Sequence, residues 1–473
     1  MKHVHLIGIG GTGLSAIARV LLEKGYAVSG SDREATPLFN AITAAGARTF
    51  LGHAAEQIAG ADIVLRSSAI PDDNPEVVAA RAQGIPVKKR SEFLEELTGD
   101  KDTLAVAGSH GKTTTTAMLT WILEKLGTNP SFIAGGVINQ LECNAKAGAG
   151  LYFAIEADEY DHMFLGLSPK IAIITNIEHD HPDCFPTQES YLEAFKTFLD
   201  RVRPDGLALM CLDDRQTRSL MQERASEEST VLEHCTLLGY GTTPEADYRA
   251  ENFTVIEGNP HFSLVHRDET GKSHNLGEVS LTIPGHHNVL NATAVLAAIH
   301  QLGLPMQKAI SALHEFSGTG RRFEILGHPG GITLIDDYGH HPTEIAATLQ
   351  AARSRYPERR IWAIWQPHTF SRTQTLAEAF VEALSLADRV IVLKIYAARE
   401  ENPGYSAERI AEALPAGKAD YLADFSAAVG FLQANLESND VAIFFSAGDA
   451  TEVSQAVLHG LQQRKKDNKE MFA

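Results

Sequence analysis

Cysteine is scarce in this chain: Cys143, Cys184, Cys211 and Cys235 are the four in 473 residues, and no two of them form a C-x-x-C pair. That is too few for a disulfide framework at this length and points to a reducing compartment, the cytoplasm. Positive charge is also short. Lysine and arginine number 41 against 60 aspartates and glutamates, a formal net charge of −19, so a broad electrostatic footprint for nucleic acid is not expected. Any phosphate must be held locally. No apolar run approaches the roughly 18 residues of a membrane span, so membrane insertion is not expected either. The opening Met1-Lys2-His3-Val4-His5-Leu6 passes straight into a strand pattern, without the successive regions of a secretory leader. Internal repeats and low-complexity tracts are missing as well.

What is present is ordinary globular composition, 44% hydrophobic and 21% charged, in a chain long enough for about three domains at roughly 100 to 200 residues each. Short β-rich runs at 3–9, 26–30 and 62–66 alternate with helical patterns at 14–24 and 75–83, which predicts βαβ units on a mainly parallel sheet. The polar stretch Leu97-Thr98-Gly99-Asp100-Lys101-Asp102 closes this first domain, residues 1–100. A second, 101–315, has strands near 103–107, 151–156 and 171–175 and a β-rich addition from about 230 to 285. Ser317-Gly318-Thr319-Gly320 opens a third, 316–473, which returns to βα alternation and ends in a charged tail at 463–470 expected to fray.

Two glycine loops carry the chemistry. Gly8-Ile9-Gly10-Gly11-Thr12-Gly13 leaves a strand and opens a helix, and Asp32 ends the next strand. That context suits a nucleotide diphosphate at a helix N-terminus, and taken alone it fits a nicotinamide cofactor, another nucleotide, or a structural turn. Gly108-Ser109-His110-Gly111-Lys112-Thr113-Thr114 lies between a strand and a helix, one residue shorter than the common phosphate-loop form. Its backbone can cradle a triphosphate, Lys112 can neutralise the β and γ phosphates, and the Thr113 hydroxyl can bind Mg²⁺. The lysine is assigned to phosphate and not to packing, so its removal is expected to leave the fold intact. A simple NAD-dependent oxidoreductase would leave this second loop unused.

Further along stand Glu156-Ala157-Asp158-Glu159, Thr175-Asn176-Ile177-Glu178-His179-Asp180-His181, Gly285-His286-His287-Asn288 with Asn291, Gly320-Arg321-Arg322-Phe323-Glu324, Asp336-Asp337-Tyr338-Gly339-His340-His341 and Gln366-Pro367-His368. Together with the phosphate loop, and in this order, they resemble the signatures of the Mur ligases over nearly the whole chain. The resemblance implies an α/β chain of three domains: an N-terminal Rossmann-like domain for a UDP-sugar, a central P-loop ATPase-like domain, and a C-terminal Rossmann-like domain for an amino acid. Ser29-Gly30-Ser31-Asp32, Ser67-Ser68-Ala69-Ile70 and the histidine-rich motifs of the third domain are similar to the branch that adds L-alanine to UDP-N-acetylmuramate. Tyr160 and Thr369 depart from it, and the Glu-Ala-Asp-Glu-Tyr-Asp run is shared with ligases that recycle murein tripeptide, so both acceptors remain open. A nucleotide-binding regulator without activity is a further alternative, but it would be expected to have lost Lys112, Glu156 or His181.

The resemblance also implies roles. Lys112, His181 and Arg322 are expected to be catalytic, and Gly108 to Thr114, His287, Asn288, Asn291 and Arg322 to contact ATP. Gly10, Gly11, Thr12, Gly13, Asp32, Ser67, Ser68 and Ala69 are expected at the UDP-sugar, and Thr113, Glu156 and His181 at Mg²⁺. Tyr338, His340, His341, His368 and Arg372 are expected around the amino acid, with Arg372 gripping its carboxylate through a planar fork. Each has a plainer reading: a solvated acid for Glu156, helix capping for Asn288, a surface ion pair for Arg372, and a solvated neighbour for one of Arg321 and Arg322. Lys196, on a helical pattern after His181, is weighed as a carbamylated metal ligand against an ordinary surface lysine. The expected partners are UDP-N-acetylmuramate, L-alanine and ATP, with the chain a monomer or homodimer.

Overall fold

The computed structural model describes residues 2–225, 235–398 and 400–471, so the first residues of the β-rich stretch expected from about 230 lie outside them. Three sheets organise the chain. In the first, His3–Ile7 is central, with Ala27–Asp32 and Arg48–Leu51 on one side and Ile63–Arg66 and Val87–Lys89 on the other, all parallel. Strand order reverses at His3–Ile7, and the glycine loop leaves its carboxyl end, where an open α/β sheet forms a ligand crevice.

The second sheet has ten strands. Asp102–Ala107 lies between Tyr152–Glu156 and Ile171–Ile174, parallel to both, although those two strands come later in the chain. The β-rich addition, Tyr248–Ile256, Asn259–Arg267 and Ser273–Ser280, extends one end, and an antiparallel pair, Ser131–Ile138 with Cys143–Lys146, closes the other. The turn at Glu257-Gly258 has φ of 51° and 78°, the positive pair that a tight two-residue hairpin needs.

In the third sheet Val441–Phe445 lies between Thr333–Asp337 and Ile361–Trp365, parallel to each, and Glu324–Gly327 adds an antiparallel edge. Its Val-Ala-Ile-Phe-Phe run is buried at every position because helices cover both faces, so apolar residues need not alternate with polar ones. Ile443 and Phe445 pack with Ile345, Leu349 and Phe380 on one face; Ala442 and Phe444 pack with Leu432, Val453 and Val457 on the other. Each such large side chain contributes about 1.5–3 kcal/mol on leaving water. The last helix, Thr451–Met471, runs into the charged tail.

The first two sheets share one compact unit, Met1–Phe253, Phe262–Ser280 and Val289–Phe316. The third sheet, with Thr254–His261 and Leu281–Asn288, forms the other. Among the described residues no helix is long and apolar enough to cross a membrane.

Candidate active site

Strand order in the second sheet explains why distant segments meet. The parallel neighbours Tyr152–Glu156, Asp102–Ala107 and Ile171–Ile174 end on one edge, which brings Glu156 to Glu159, the loop from Gly108, and Thr175 to His181 together. Gly108 has φ of +135°, and a Cβ there would lie 2.9 Å from the Asn176 carbonyl and would also strike the Thr175 hydroxyl. Gly111, at φ +83°, precedes the helix Lys112–Lys125, which carries Thr113 and Thr114 on its first turn. Thr175 Oγ1 and Asn176 Nδ2 donate to the His110 carbonyl at 2.7 and 3.0 Å, and the His110 amide donates to Asn176 Oδ1 at 2.9 Å. The loop is thus clamped from the neighbouring strand. Ser109 Oγ donates to the Glu178 carbonyl at 2.7 Å, and His110 Nε2 lies 2.8 Å from Glu178 Oε2. Asn291 presses on the loop, its Oδ1 3.0 Å from where a Gly111 Cβ would stand.

Lys112 is held inside this loop. Its ammonium donates to Glu159 at 2.8 and 3.1 Å and to the Gly108 carbonyl, and Glu159 is only 1% exposed. Burial alone would lower the lysine pKa, but Glu159, Asp158 and Glu156 together outweigh it and hold the value above the ordinary range. Lys112 thus neutralises a buried carboxylate, a place in the packed structure that the sequence reading did not give it. Glu156 accepts from Thr113 Oγ1 at 3.2 Å and from the Gly135 amide at 2.6 Å. A Cβ on Gly135 would lie 2.5 Å from Glu156 Oε2 and 2.9 Å from Thr113 Oγ1, so this strand glycine makes room for the pair. Burial pushes the Glu156 carboxyl up against the pull of Lys112. His181, at φ +56°, lies 3.7 Å from Glu159 Oε1, with the Tyr160 ring edge-on at 5.1 Å. Lys196 pairs with Glu223 at 2.5 Å, the behaviour of an ordinary helix-face lysine.

In the first domain the Gly10 amide donates to Asp32 Oδ2 at 2.8 Å, and Thr36 Oγ1 donates to the Gly10 carbonyl at 3.0 Å. Asp32 braces the loop and also accepts from the Arg33 amide at 2.8 Å. Gly11 opens the helix Thr12–Glu23 without a side-chain cap. Ser67 and Ala69 form a turn beside Gly8, whereas Ser68 Oγ donates to Asp161 at 2.6 Å. A cavity of about 160 Å³ lies between this loop and Glu156, lined by Thr12, Gly13, Arg90, Gly135, Glu156 and Asp158 among others. Arg90, which the sequence reading passed over, crowds Gly13 and faces Asp158 at 3.8 Å.

The third domain gathers its expected residues at one sheet edge. His340 lies 5.6 Å from the Tyr338 ring and 5.7 Å from the His368 ring, and Arg372 Nη1 lies 3.2 Å from His368 Nδ1. Tyr396, also passed over, stacks on His368 at 5.8 Å. His341 instead caps the helix Pro342–Arg355, and Glu344 closes that capping box. The two neighbouring arginines separate: Arg321 bonds Asp336 and the Ser446 carbonyl, while Arg322 pairs with Glu344 at 3.3 Å. Burial pushes Asp337 up to about 6, against the pull of Arg322. Asn288 donates to the Pro284 carbonyl at 2.7 Å, and burial lowers the neighbouring His287 to about 4, with the proximity of His286 and Arg322 adding to the shift.

Three family models match in chain order: "Mur ligase family, catalytic domain" at residues 3–102, "Mur ligase middle domain" at 106–299 and "Mur ligase, glutamate ligase domain" at 321–448. The chain belongs to the Mur ligase family, and its three α/β domains are that family's architecture. A UDP-N-acetylmuramate–L-alanine ligase of Desulfosudis oleivorans is 40% identical, over 98% of this chain and 99% of the relative. The crystal structure of a UDP-N-acetylmuramate-alanine ligase from Thermotoga maritima matches with a TM-score of 0.82 at 30% identity, covering 98% of this chain and all of that one. A murein peptide ligase from Psychrobacter arcticus shares the fold at 24% identity, with a TM-score of 0.71 over 98% of this chain and 99% of the other.

Proposed function

We infer that the chain is an ATP-dependent ligase that joins L-alanine to the carboxylate of UDP-N-acetylmuramate, in the cytoplasm, as a step of peptidoglycan precursor synthesis. The observation that carries the reading is 40% identity to an L-alanine ligase over 98% of the chain, in a protein whose phosphate loop, Glu156 and His181 are all in place. The domain at 1–100 takes the UDP-sugar, that at 101–315 takes ATP, and that at 316–473 takes the amino acid.

A carboxylate and an ammonium form a salt and not an amide, so the carboxylate must be activated. Its oxygen attacks the γ-phosphorus of ATP, the bond to the β-bridging oxygen breaks, and an acyl phosphate and ADP result. The deprotonated amine of L-alanine then attacks the acyl carbon, expelling phosphate. Charge gathers on the transferring phosphoryl oxygens, and Lys112, protonated and aimed by Glu159, meets it there. Thr113 and Glu156, which Gly135 leaves room for, would supply the oxygen donors that Mg²⁺ prefers, and His181 would add a nitrogen donor. When bound, the ion offsets phosphate charge. Asn291 adds an ATP contact beside the phosphate loop, the amides from Gly10 to Gly13 hold the UDP diphosphate, and Arg372 with Tyr338, His340 and His368 holds L-alanine.

The test is phosphate release from ATP with UDP-N-acetylmuramate and each candidate amine in turn. L-alanine should rank first, with glycine and L-serine slower, since a missing methyl group costs only about 1–3 kcal/mol. A higher kcat/KM with L-alanyl-γ-D-glutamyl-meso-diaminopimelate would replace this reading with tripeptide recycling.

A further inference from the structure

Tyr191 belongs to none of the motifs that the function uses, yet its hydroxyl reaches the centre of the phosphate site. It lies on the helix Gln188–Leu199 and is fully buried, with its ring edge-on to Phe185 at 5.0 Å and to Phe195 at 5.2 Å. Packing of this kind fixes where the phenol oxygen stands. That oxygen donates to Glu159 Oε1 at 3.1 Å and lies 2.9 Å from Ser109 Oγ, inside the loop itself. Burial and the nearby Glu159 charge hold the phenol far above its ordinary pKa, so it keeps its proton.

We propose that Tyr191 is a positioning residue for ATP: its hydroxyl joins the phosphate loop at Ser109 to Glu159, the carboxylate that aims Lys112. The proposal rests on the ATP-site reading above. Glu159 has two oxygens and both touch Lys112, so the angle of that carboxylate sets where the ammonium points. His181 lies 3.7 Å from the same carboxylate, beyond a direct hydrogen bond. Tyr191 is a second short-range donor to that carboxylate, bonding the Oε1 that Lys112 also reaches. Two hydroxyl hydrogens, those of Ser109 and Tyr191, serve three close acceptors: the Glu178 carbonyl, the Glu159 carboxylate, and one hydroxyl oxygen of the pair. The contact between the two hydroxyls therefore couples the loop at Ser109 to the Glu159 carboxylate, and hydrogen bonds linked in this way strengthen one another.

Tyr191→Phe removes one oxygen and keeps the packed ring. ATP affinity of the full chain, measured by calorimetry in the presence of magnesium, should weaken about tenfold, while UDP-N-acetylmuramate affinity stays within about twofold. The KM for ATP should rise in step, and those for the other two substrates should not. In the Glu159→Gln background the same substitution should add little, because the tyrosine acts through the carboxylate. Unchanged ATP affinity, equal weakening of both ligands, loss of folding, or full additivity with Glu159→Gln would each overturn the assignment. If the unmodified chain binds ATP but releases no phosphate with the proposed substrates, the ligase reading fails, and the tenfold shift in ATP affinity still decides the role of Tyr191.

Discussion

Lys112→Met tests whether the lysine is part of the folded structure as well as of the chemistry. The ammonium sits 2.8 and 3.1 Å from the two oxygens of Glu159, a carboxylate 1% exposed. Removing it leaves that charge buried without its cation, though the Tyr191 hydroxyl still donates to it. Breaking a buried pair from one side costs about 3–5 kcal/mol. At about 2–4 °C per kcal/mol, the melting temperature should fall by roughly 6–20 °C in scanning calorimetry. Lys112→Met combined with Glu159→Gln should recover most of that loss, since a neutral amide of the same shape needs no counter-charge. Phosphate release should drop by about 10² or more in both, because the recovered stability does not restore a cation at the γ-phosphate. A Lys112→Met protein that melts within a degree or two of the parent would refute the buried-pair argument, and so would a double variant no more stable than the single one.

Gly135→Ala places a methyl group 2.5 Å from Glu156 Oε2, so the Mg²⁺ concentration for half-maximal rate should rise about tenfold with the melting temperature little changed; metal titration of the rate checks it. Arg372→Lys keeps the charge but loses the planar fork, and the KM for L-alanine should rise about tenfold, with that for ATP unmoved; steady-state kinetics decide it. His287 titrates near 4 when folded against 6.5 when free, so its contribution to stability is complete above about 6.5 and is lost as the pH falls toward 4. Between those values the parent should lose stability faster than His287→Gln, by up to about 1.4 kcal/mol per pH unit, and parallel melting curves at each pH would contradict the assignment.

Much of the fold and of the site was legible in the sequence because its signals are local. A glycine at φ +135° or +83° must appear as glycine, and a strand covered on both faces must appear as an unbroken apolar run such as Val441–Phe445. The two loops, the alternation of strands and helices, and the order of the family's motifs follow from signals of that kind. Glu159 stood inside a quoted motif without a role, and Tyr191, Gly135 and Arg90 carried no motif at all. A glycine inside a strand pattern is the one hint of close approach that Gly135 offered.

Only the tertiary structure decided what those residues do. Asp102–Ala107 pairs with two strands that come later in the chain, and that insertion sets Glu159, Lys112 and Tyr191 around a shared point. Helix phase and backbone angle sort neighbours that the sequence treats alike: Asn291 meets the phosphate loop while Asn288 bonds back to Pro284, and Arg321 turns to Asp336 while Arg322 turns to Glu344. Residue type and spacing record which groups are available. Which of them is aimed at a common point depends on strand order and on burial, where a charge without a partner is too costly to leave, and those are properties of the packed chain.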